Sequence, residues 1–147
     1  WSDPPQQFQP RLEIGNDVFI NAFTEISVAH RMVIEDGVMI APRCFITDNA
    51  HGYRDVTSSI REQPVEVAGE VRIGAGSQIG CGCFIQGNVR IGKHCLVGAN
   101  SVVVSDLPDY CVAAGAPARV VRRYDPETGQ WERETGREAR DGGAHVG

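Results

Sequence analysis

The sequence predicts an all-β solenoid, a parallel β-helix of stacked hexapeptide units, and three observations carry that prediction. An aliphatic residue returns every six positions in two blocks. The first runs Ile14, Ile20, Ile26 and, after a two-residue slip, Ile34, Ile40, Ile46; the second runs Val67, Ile73, Ile79, Ile85, Ile91, Val97, Val103. An amphipathic helix needs spacings of three and four, and a half-buried strand alternates. A period of six instead fits one short strand plus a turn, repeated so that neighbouring coils bury a shared core. The second observation is a small residue just after the aliphatic one: Gly15, Gly74, Gly80, Gly92 and Gly98, with Asn21, Ala41 and Ala68 as substitutes. A corner there is expected to need a permissive backbone. The third is a smaller inward residue at position five, namely Val18, Thr24, Val38, Cys44, Val71, Ser77, Cys83, Val89, Cys95 and Ser101. Each face is then filled by one large and one smaller side chain.

Taken in order, residues 1–11 are rich in Pro and Gln and read as an amino-terminal arm outside the repeats. Residues 12–123 form the solenoid domain. It is interrupted at 47–66, where Thr47-Asp48-Asn49-Ala50-His51-Gly52-Tyr53-Arg54-Asp55 and on to Pro64 shows no six-residue recurrence. A long polar and aromatic loop held out by a rigid scaffold is where accessible functional side chains are expected. After it, an extra hexad around Val67 to Arg72 rejoins the ladder. The ladder breaks again at Leu107-Pro108-Asp109. Residues 124–147 form a carboxy-terminal extension: Tyr124 to Trp131 reads as a turn between two short strands, and the charged, Gly-bearing stretch from Glu132 onward as poorly ordered.

Composition narrows the function. The 147 residues fit one domain, and stacked coils can bury a core at a hydrophobic content of 41%. No apolar run approaches the ~20 residues of a membrane span, and the amino end shows no secretory h-region, so a soluble protein is expected. The first residue is Trp1 rather than Met, which leaves an earlier segment open. A net charge of −5 without a basic, aromatic-interleaved stripe argues against nucleic acid. Positive charge gathers late, at Arg119, Arg122 and Arg123, where a phosphorylated ligand or plain solvation would satisfy it. Of the five cysteines, Cys44, Cys83 and Cys95 occupy inward hexad positions and read as core filler. Cys81-Gly82-Cys83 lacks the spacing of a zinc pair, so no metal is expected. Unpaired thiols favour a reducing, cytoplasmic setting.

The hexads, the loop with His51, and the run Val102-Val103-Val104-Ser105-Asp106-Leu107-Pro108 followed by Ala113-Ala114-Gly115-Ala116-Pro117-Ala118-Arg119-Val120-Val121 together carry a resemblance. Over about residues 12 to 123 the chain resembles the hexapeptide-repeat acyltransferases, and within them the galactoside, maltose and polysaccharide O-acetyltransferase branch. The resemblance implies a left-handed β-helix, a homotrimer with active sites between subunits, and acetyl-CoA or another acyl-CoA as donor.

Moving an acyl group from a thioester to a hydroxyl needs a base, and histidine suits that work near neutral pH. His51 is the candidate; His30 sits by the slip, His94 at an outward position and His145 in the tail. Asn21, thirty residues earlier, matches an active-site Asn of the family and would orient the histidine or the acceptor, or else serve as an ordinary corner residue. Asp48 would hold the imidazole as the acid of a triad does, or cap its own loop. By similarity the backbone N–H of Cys81 supplies the oxyanion donor. Ala99, Val104 and Ser105 match positions along the pantetheine arm, and Arg119 and Arg122 match those that meet the nucleotide phosphates. Tyr53 and Asp55 on the loop, with Gln78, are candidates for the acceptor site. Gln78 stands where many relatives have Trp, Ser105 where Lys is frequent, and Val28-Ala29 where galactoside-type relatives have acidic residues. These departures leave the acceptor open. An N-acyltransferase acting on an amino sugar, a non-catalytic scaffold, and a trimeric metalloenzyme like the carbonic anhydrases of this fold are the alternatives. The last would need three converging histidines, and His30, His51 and His94 lack that spacing.

Overall fold

Each hexapeptide makes one short strand, and three strands close one coil of a triangular prism. The computed structural model describes residues 6–135. The first coil is β1 (Arg11–Ile14), β2 (Phe19–Ile20) and β3 (Glu25–Ser27), and the second is β4 (Arg31–Ile34), β5 (Met39–Ile40) and β6 (Phe45–Thr47). A hairpin follows, β7 (Asn49–His51) and β8 (Val65–Val67), with one 3-10 turn at Ile60–Glu62 between its strands. The third coil is β9 (Glu70–Ile73), β10 (Gln78–Ile79) and β11 (Phe84–Gln86). The fourth is β12 (Val89–Ile91), β13 (Leu96–Val97) and β14 (Val102–Val103). Then β15 (Cys111–Gly115) makes one more rung, and β16 (Ala118–Asp125) and β17 (Gln130–Arg133) extend its sheet antiparallel.

Stacked in parallel register, these strands give three faces. The first is β1-β4-β9-β12, the second β2-β5-β10-β13-β15 continued by β16 and β17, and the third β3-β6-β11-β14. The architecture is a left-handed parallel β-helix, all-β as the period predicts. The register explains the period: Ile14, Ile34, Ile73 and Ile91 stack in one column, and Ile26, Ile46, Ile85 and Val103 in another. Ile34, Ile40, Ile46, Ile73, Ile79, Ile85 and Ile91 are fully buried, each contributing about 1.5–3 kcal/mol of apolar transfer. The inward position-five residues fill the corners, and Cys44, Cys83 and Cys95 are buried there. The buried Ser77 hydroxyl donates to the Gly92 carbonyl and accepts the Cys95 N–H, both at 2.9 Å, so a small polar residue is tolerated at that place.

Four expectations change. Val67 is not a rung: it pairs with Asn49 in the hairpin stem, and the ladder resumes at Val71 and Ile73 on β9, stacked on β4. Ile14 and Ile20 lie in the first coil, which no other coil covers among the described residues, and Ile14 is 49% exposed. The position-two glycines are not needed for positive φ. The left-handed residues fall two places later, at Asp17, Phe23, Gly37, Arg43, Gly76, Gly82, His94, Asn100 and Tyr110. Gly80 is required because a Cβ there would lie 2.6 Å from both the Ala99 nitrogen and the Val97 oxygen of the next coil. Finally, Glu132 and Arg133 are not loose but paired to β16 in β17, and Tyr124 to Trp131 is the hairpin the sequence predicts. His145 and the rest of the tail from residue 136, like residues 1–5 of the arm, lie outside the described residues.

The outward residues differ by face. On the first face Arg31 bridges Glu13 and Glu70, both at 3.2 Å, and Arg72 bridges Glu70 (2.9 Å) and Glu35 (2.8 Å). The second face turns out Phe19, Met39 and Leu96, and on the third Phe45 stacks on Phe84 with ring centroids 5.5 Å apart. Among the described residues no helix is long and apolar enough to cross a membrane.

Candidate active site

The site residues read from the sequence fall on two edges of the prism and one face. Asn21, Cys81 and Ala99 stack on the edge between the second and third faces, at the turns after β2, β10 and β13. His51, Val104 and Ser105 belong to the edge between the third and first faces, where the hairpin leaves β6 and the chain leaves β14. Gln78 points outward from the second face on β10, and Arg119 and Arg122 lie on β16. A single chain therefore does not bring Asn21 and His51 together.

The first edge is an array of backbone donors. At three of its turns the residue two beyond the aliphatic one has an N–H that takes no part in bonding to the neighbouring coil. In the first coil that N–H, of Ala22, is taken by the Asn21 side chain at 3.2 Å, while the second coil has Pro42 there and no N–H at all. In the third and fourth coils the N–H groups of Cys81 and Ala99 have no acceptor among the described residues. Residues beside them tie the two coils together, the Gly80 N–H donating to Val97 O at 2.8 Å and the Asn100 N–H to Cys81 O at 2.8 Å. Two exposed, rigidly held donors on adjacent coils can bind a carbonyl oxygen or an oxyanion without reorganisation.

The second edge carries the histidine. A two-stranded hairpin of this length is marginal alone, so its contacts decide where His51 sits. At its base the Asp48 carboxylate is fully buried. Its Oδ1 accepts the Ala29 N–H and its Oδ2 the N–H groups of His30 and Arg31, all at 2.8 Å, and Asn49 Nδ2 donates to Oδ1 at 2.9 Å. Burial alone would raise the Asp48 pKa, but the donors from Ala29, Asn49, His30 and Arg31 outweigh it and hold the carboxyl below its usual range. Asp48 is thus committed to the slipped corner of the first coil rather than to the imidazole. Its triad-like reading gives way to the cap reading, because both oxygens are already filled.

Higher up, Gly52 N–H donates to Pro64 O at 2.9 Å. Beyond it, Gln63 bridges the loop, donating to Asp55 O at 2.9 Å and accepting the Asp55 N–H at 3.1 Å. The Asp55 carboxylate accepts from the Thr57 hydroxyl and N–H and from the Ser58 hydroxyl, and those bonds hold its pKa below the ordinary value. Asp55 thus shapes its own turn while staying exposed, and Tyr53 is 65% exposed, with Arg54 against its ring.

The residue that sequence reasoning missed is Gln6. Its Nε2 donates to Val65 O at 3.0 Å and its Oε1 accepts the Val65 N–H at 2.7 Å, so one side chain acts as a third strand on the free edge of β8. Val65 lies directly opposite His51 in the hairpin register. No local signal marks Gln6, since its partner is 59 residues away. Gln6→Ala is expected to raise hydrogen exchange at the Val65 amide by about tenfold or more, from loss of about 1–2 kcal/mol of bonding. Exchange in the β9 to β13 coils should stay unchanged, and equal protection of Val65 in variant and parent would refute the brace. The His51 ring itself has no hydrogen-bond partner among the described residues and is exposed.

On β16 the two arginines face a groove of about 880 Å³ lined also by Val120, Val121, Arg123, Arg133 and Glu134. Gln78 sits in a neighbouring hollow of about 460 Å³, with Leu96, Val112, His94, Trp131 and Arg122.

Comparison with known proteins adds to this geometry. Residues 70–105 match the family model for the bacterial transferase hexapeptide (six repeats). The chain is 34% identical over 116 residues to a probable acetyltransferase of Mycobacterium tuberculosis, covering 79% of this chain and 36% of that protein. It is 32% identical over 127 residues to the galactoside O-acetyltransferase of Escherichia coli, covering 85% of this chain and 61% of the relative. Among solved structures it is similar to a hexapeptide-repeat acetyltransferase of Vibrio cholerae complexed with acetyl coenzyme A, at a TM-score of 0.71 and 28% identity, over 78% of this chain and 61% of that one. The chain spans less than two thirds of the length of each of these proteins.

Proposed function

This chain belongs to the hexapeptide-repeat acetyltransferase superfamily, and from that premise we propose that it transfers an acetyl group from acetyl-CoA to a hydroxyl of a sugar or polysaccharide precursor. The observation that carries the proposal is the pair of N–H groups at Cys81 and Ala99 that have no acceptor among the described residues. They suit an extended donor that must be gripped through its amides and its reacting carbonyl, and the similarity to enzymes acting on saccharide hydroxyls supplies the acceptor class.

In this reading His51 takes the acceptor's hydroxyl proton as the oxygen attacks the thioester carbon. The carbonyl oxygen becomes an oxyanion held by the Cys81 N–H. Collapse breaks the C–S bond, and the departing CoA thiolate takes the proton back from the imidazolium, leaving ester and free thiol. No covalent enzyme intermediate is needed. Asn21, whose side-chain Nδ2 has no partner among the described residues, orients the acceptor or the imidazole.

The two edges must meet for this chemistry, so the working unit is a homotrimer in which the His51 hairpin of one subunit faces the Asn21, Cys81 and Ala99 edge of the next. Phe19 and Met39 on the second face and the Phe45–Phe84 stack on the third, against the ion-paired first face, agree with that packing. The five free thiols fit a reducing compartment such as the cytoplasm. The test is CoA-thiol release from acetyl-CoA in the presence of a panel of mono- and oligosaccharides, with light scattering for assembly. A trimer that releases thiol only with saccharide present is expected. A monomer with full activity, or no release with any hydroxyl acceptor, would refute the reading.

A further inference from the structure

We propose that β17, which lies beyond the repeats, completes a nucleotide clamp with β16: Arg133 joins Arg122 on a phosphate, and Trp131 supplies a plate for the attached base. The inference rests on the acyl-CoA reading for the identity of the ligand, the phosphorylated adenosine end of CoA. Its physical grounds are independent of catalysis.

Arg122 and Arg133 are directly opposite one another across the antiparallel β16–β17 pair. Residues so placed have Cβ atoms about 4.5–5.5 Å apart, and like charges there repel. Among the described residues no carboxylate relieves it: the acid of this groove, Glu134, is engaged by Arg123 at 2.7 Å, and neither Arg122 nor Arg133 forms an ion pair there. Two guanidinium forks on one face, with Arg119 beside them in the same groove, present the planar donors that phosphate oxygens take in pairs. An opposed, unneutralised pair of this kind is stable only with an anion between its members or with water screening it. The size of the groove, about 880 Å³, admits a nucleotide.

The neighbouring hollow specifies what the anion is attached to. It shares Arg122 with the groove, has a floor of Gln78, Leu96 and Val112, and ends in His94 and Trp131, whose rings are inclined by 28° with centroids 6.5 Å apart. Tyr124, opposite Trp131 in the register, backs the indole with ring centroids 5.6 Å apart, so the plate is held in place. A cationic fork adjoining a braced aromatic plate is complementary to a phosphorylated nucleoside and to nothing as simple as inorganic phosphate.

The test is calorimetric titration of the full chain with CoA, 3′-dephospho-CoA, adenosine 3′,5′-bisphosphate and pantetheine, in the parent, Arg133→Ala and Arg133→Lys. The expected result for Arg133→Ala is a loss of about tenfold or more in affinity for CoA and for the bisphosphate, partial recovery in Arg133→Lys, and no change for pantetheine. In a Trp1→Phe background, the bisphosphate should also quench the emission of Trp131. Unchanged CoA affinity in Arg133→Ala, or an equal loss for pantetheine, would overturn the clamp. A parent chain that binds the bisphosphate through Arg133 but does not bind CoA would keep the clamp and overturn the acyl-CoA reading. A parent that binds neither would overturn the clamp.

Discussion

Replacing His51 by alanine is expected to lower kcat for acetyl transfer by about 10²–10⁴-fold while leaving the affinity for CoA and the melting temperature of the protein unaltered. The separation follows from where the residue sits. Its ring is exposed at the end of β7, makes no hydrogen bond among the described residues, and stands on a hairpin whose braces are Asp48, Gln63 and Gln6. Nothing in the core depends on it, so the loss should appear in turnover alone. The donor grip proposed at Cys81, Ala99 and the β16 arginines lies on other parts of the prism. Turnover equal to the parent with every acceptor tested would remove His51 from the mechanism.

Asp48→Ala is expected to destabilise the fold by about 3–4 kcal/mol, a drop in Tm on the order of 10 °C. The carboxylate collects the N–H groups of Ala29, His30 and Arg31, where the chain takes two extra residues to round the corner. Without it those donors face the protein interior unpaired. Asn at this position should recover little, since its NH₂ would meet two N–H groups at the place now held by Oδ2. The folded pKa of Asp48 is depressed, so its contribution is fully present above the unfolded value near 4 and is lost as pH falls through the lower folded value. The parent should therefore lose stability in urea melts below about pH 4, and Asp48→Ala should lose correspondingly less over that window. Parallel pH curves for the two proteins would refute the assignment.

How much of this was legible in the sequence depended on the range over which a residue finds its partners. The rungs Ile73 to Val103 were legible because each repeats the same environment one coil further on, and the repetition writes itself into the spacing. Val67 shares that spacing yet belongs to a hairpin, for an apolar residue in a short strand carries no mark of which strand it pairs with. Ile14 and Ile20 keep the pattern but not the burial, because burial needs a neighbouring coil that periodicity cannot count. Gly80 was identified for the wrong reason: a missing side chain serves equally for positive φ and for close approach, and only the contact with the next coil separates the two. At the candidate site, His51 stood out as a polar break in an apolar rhythm. Asp48 lies only three residues away from it, which suggested a partnership, while its actual partners lie 17 to 19 residues earlier. Gln6, bonded to Val65, and Arg133, set opposite Arg122, are placed by strand partners and left no local trace.

The edge that carries Cys81 and Ala99 is also a ruler. One coil is eighteen residues, as from Ile73 to Ile91, and advances the prism by about 4.8 Å. Its graduations are the N–H groups of Cys81 and Ala99, and Pro42 erases the mark in the second coil, which fixes where the scale begins. The scale ends at the arginines of β16. A donor whose carbonyl rests at Cys81 must therefore have an arm of the length that those coils subtend, and adding or deleting one coil between β11 and β15 would change the reach of the accepted donor by one division. Under the proposed donor grip, specificity for the donor's length would be set by counting turns of the scaffold, a quantity that no single side chain encodes.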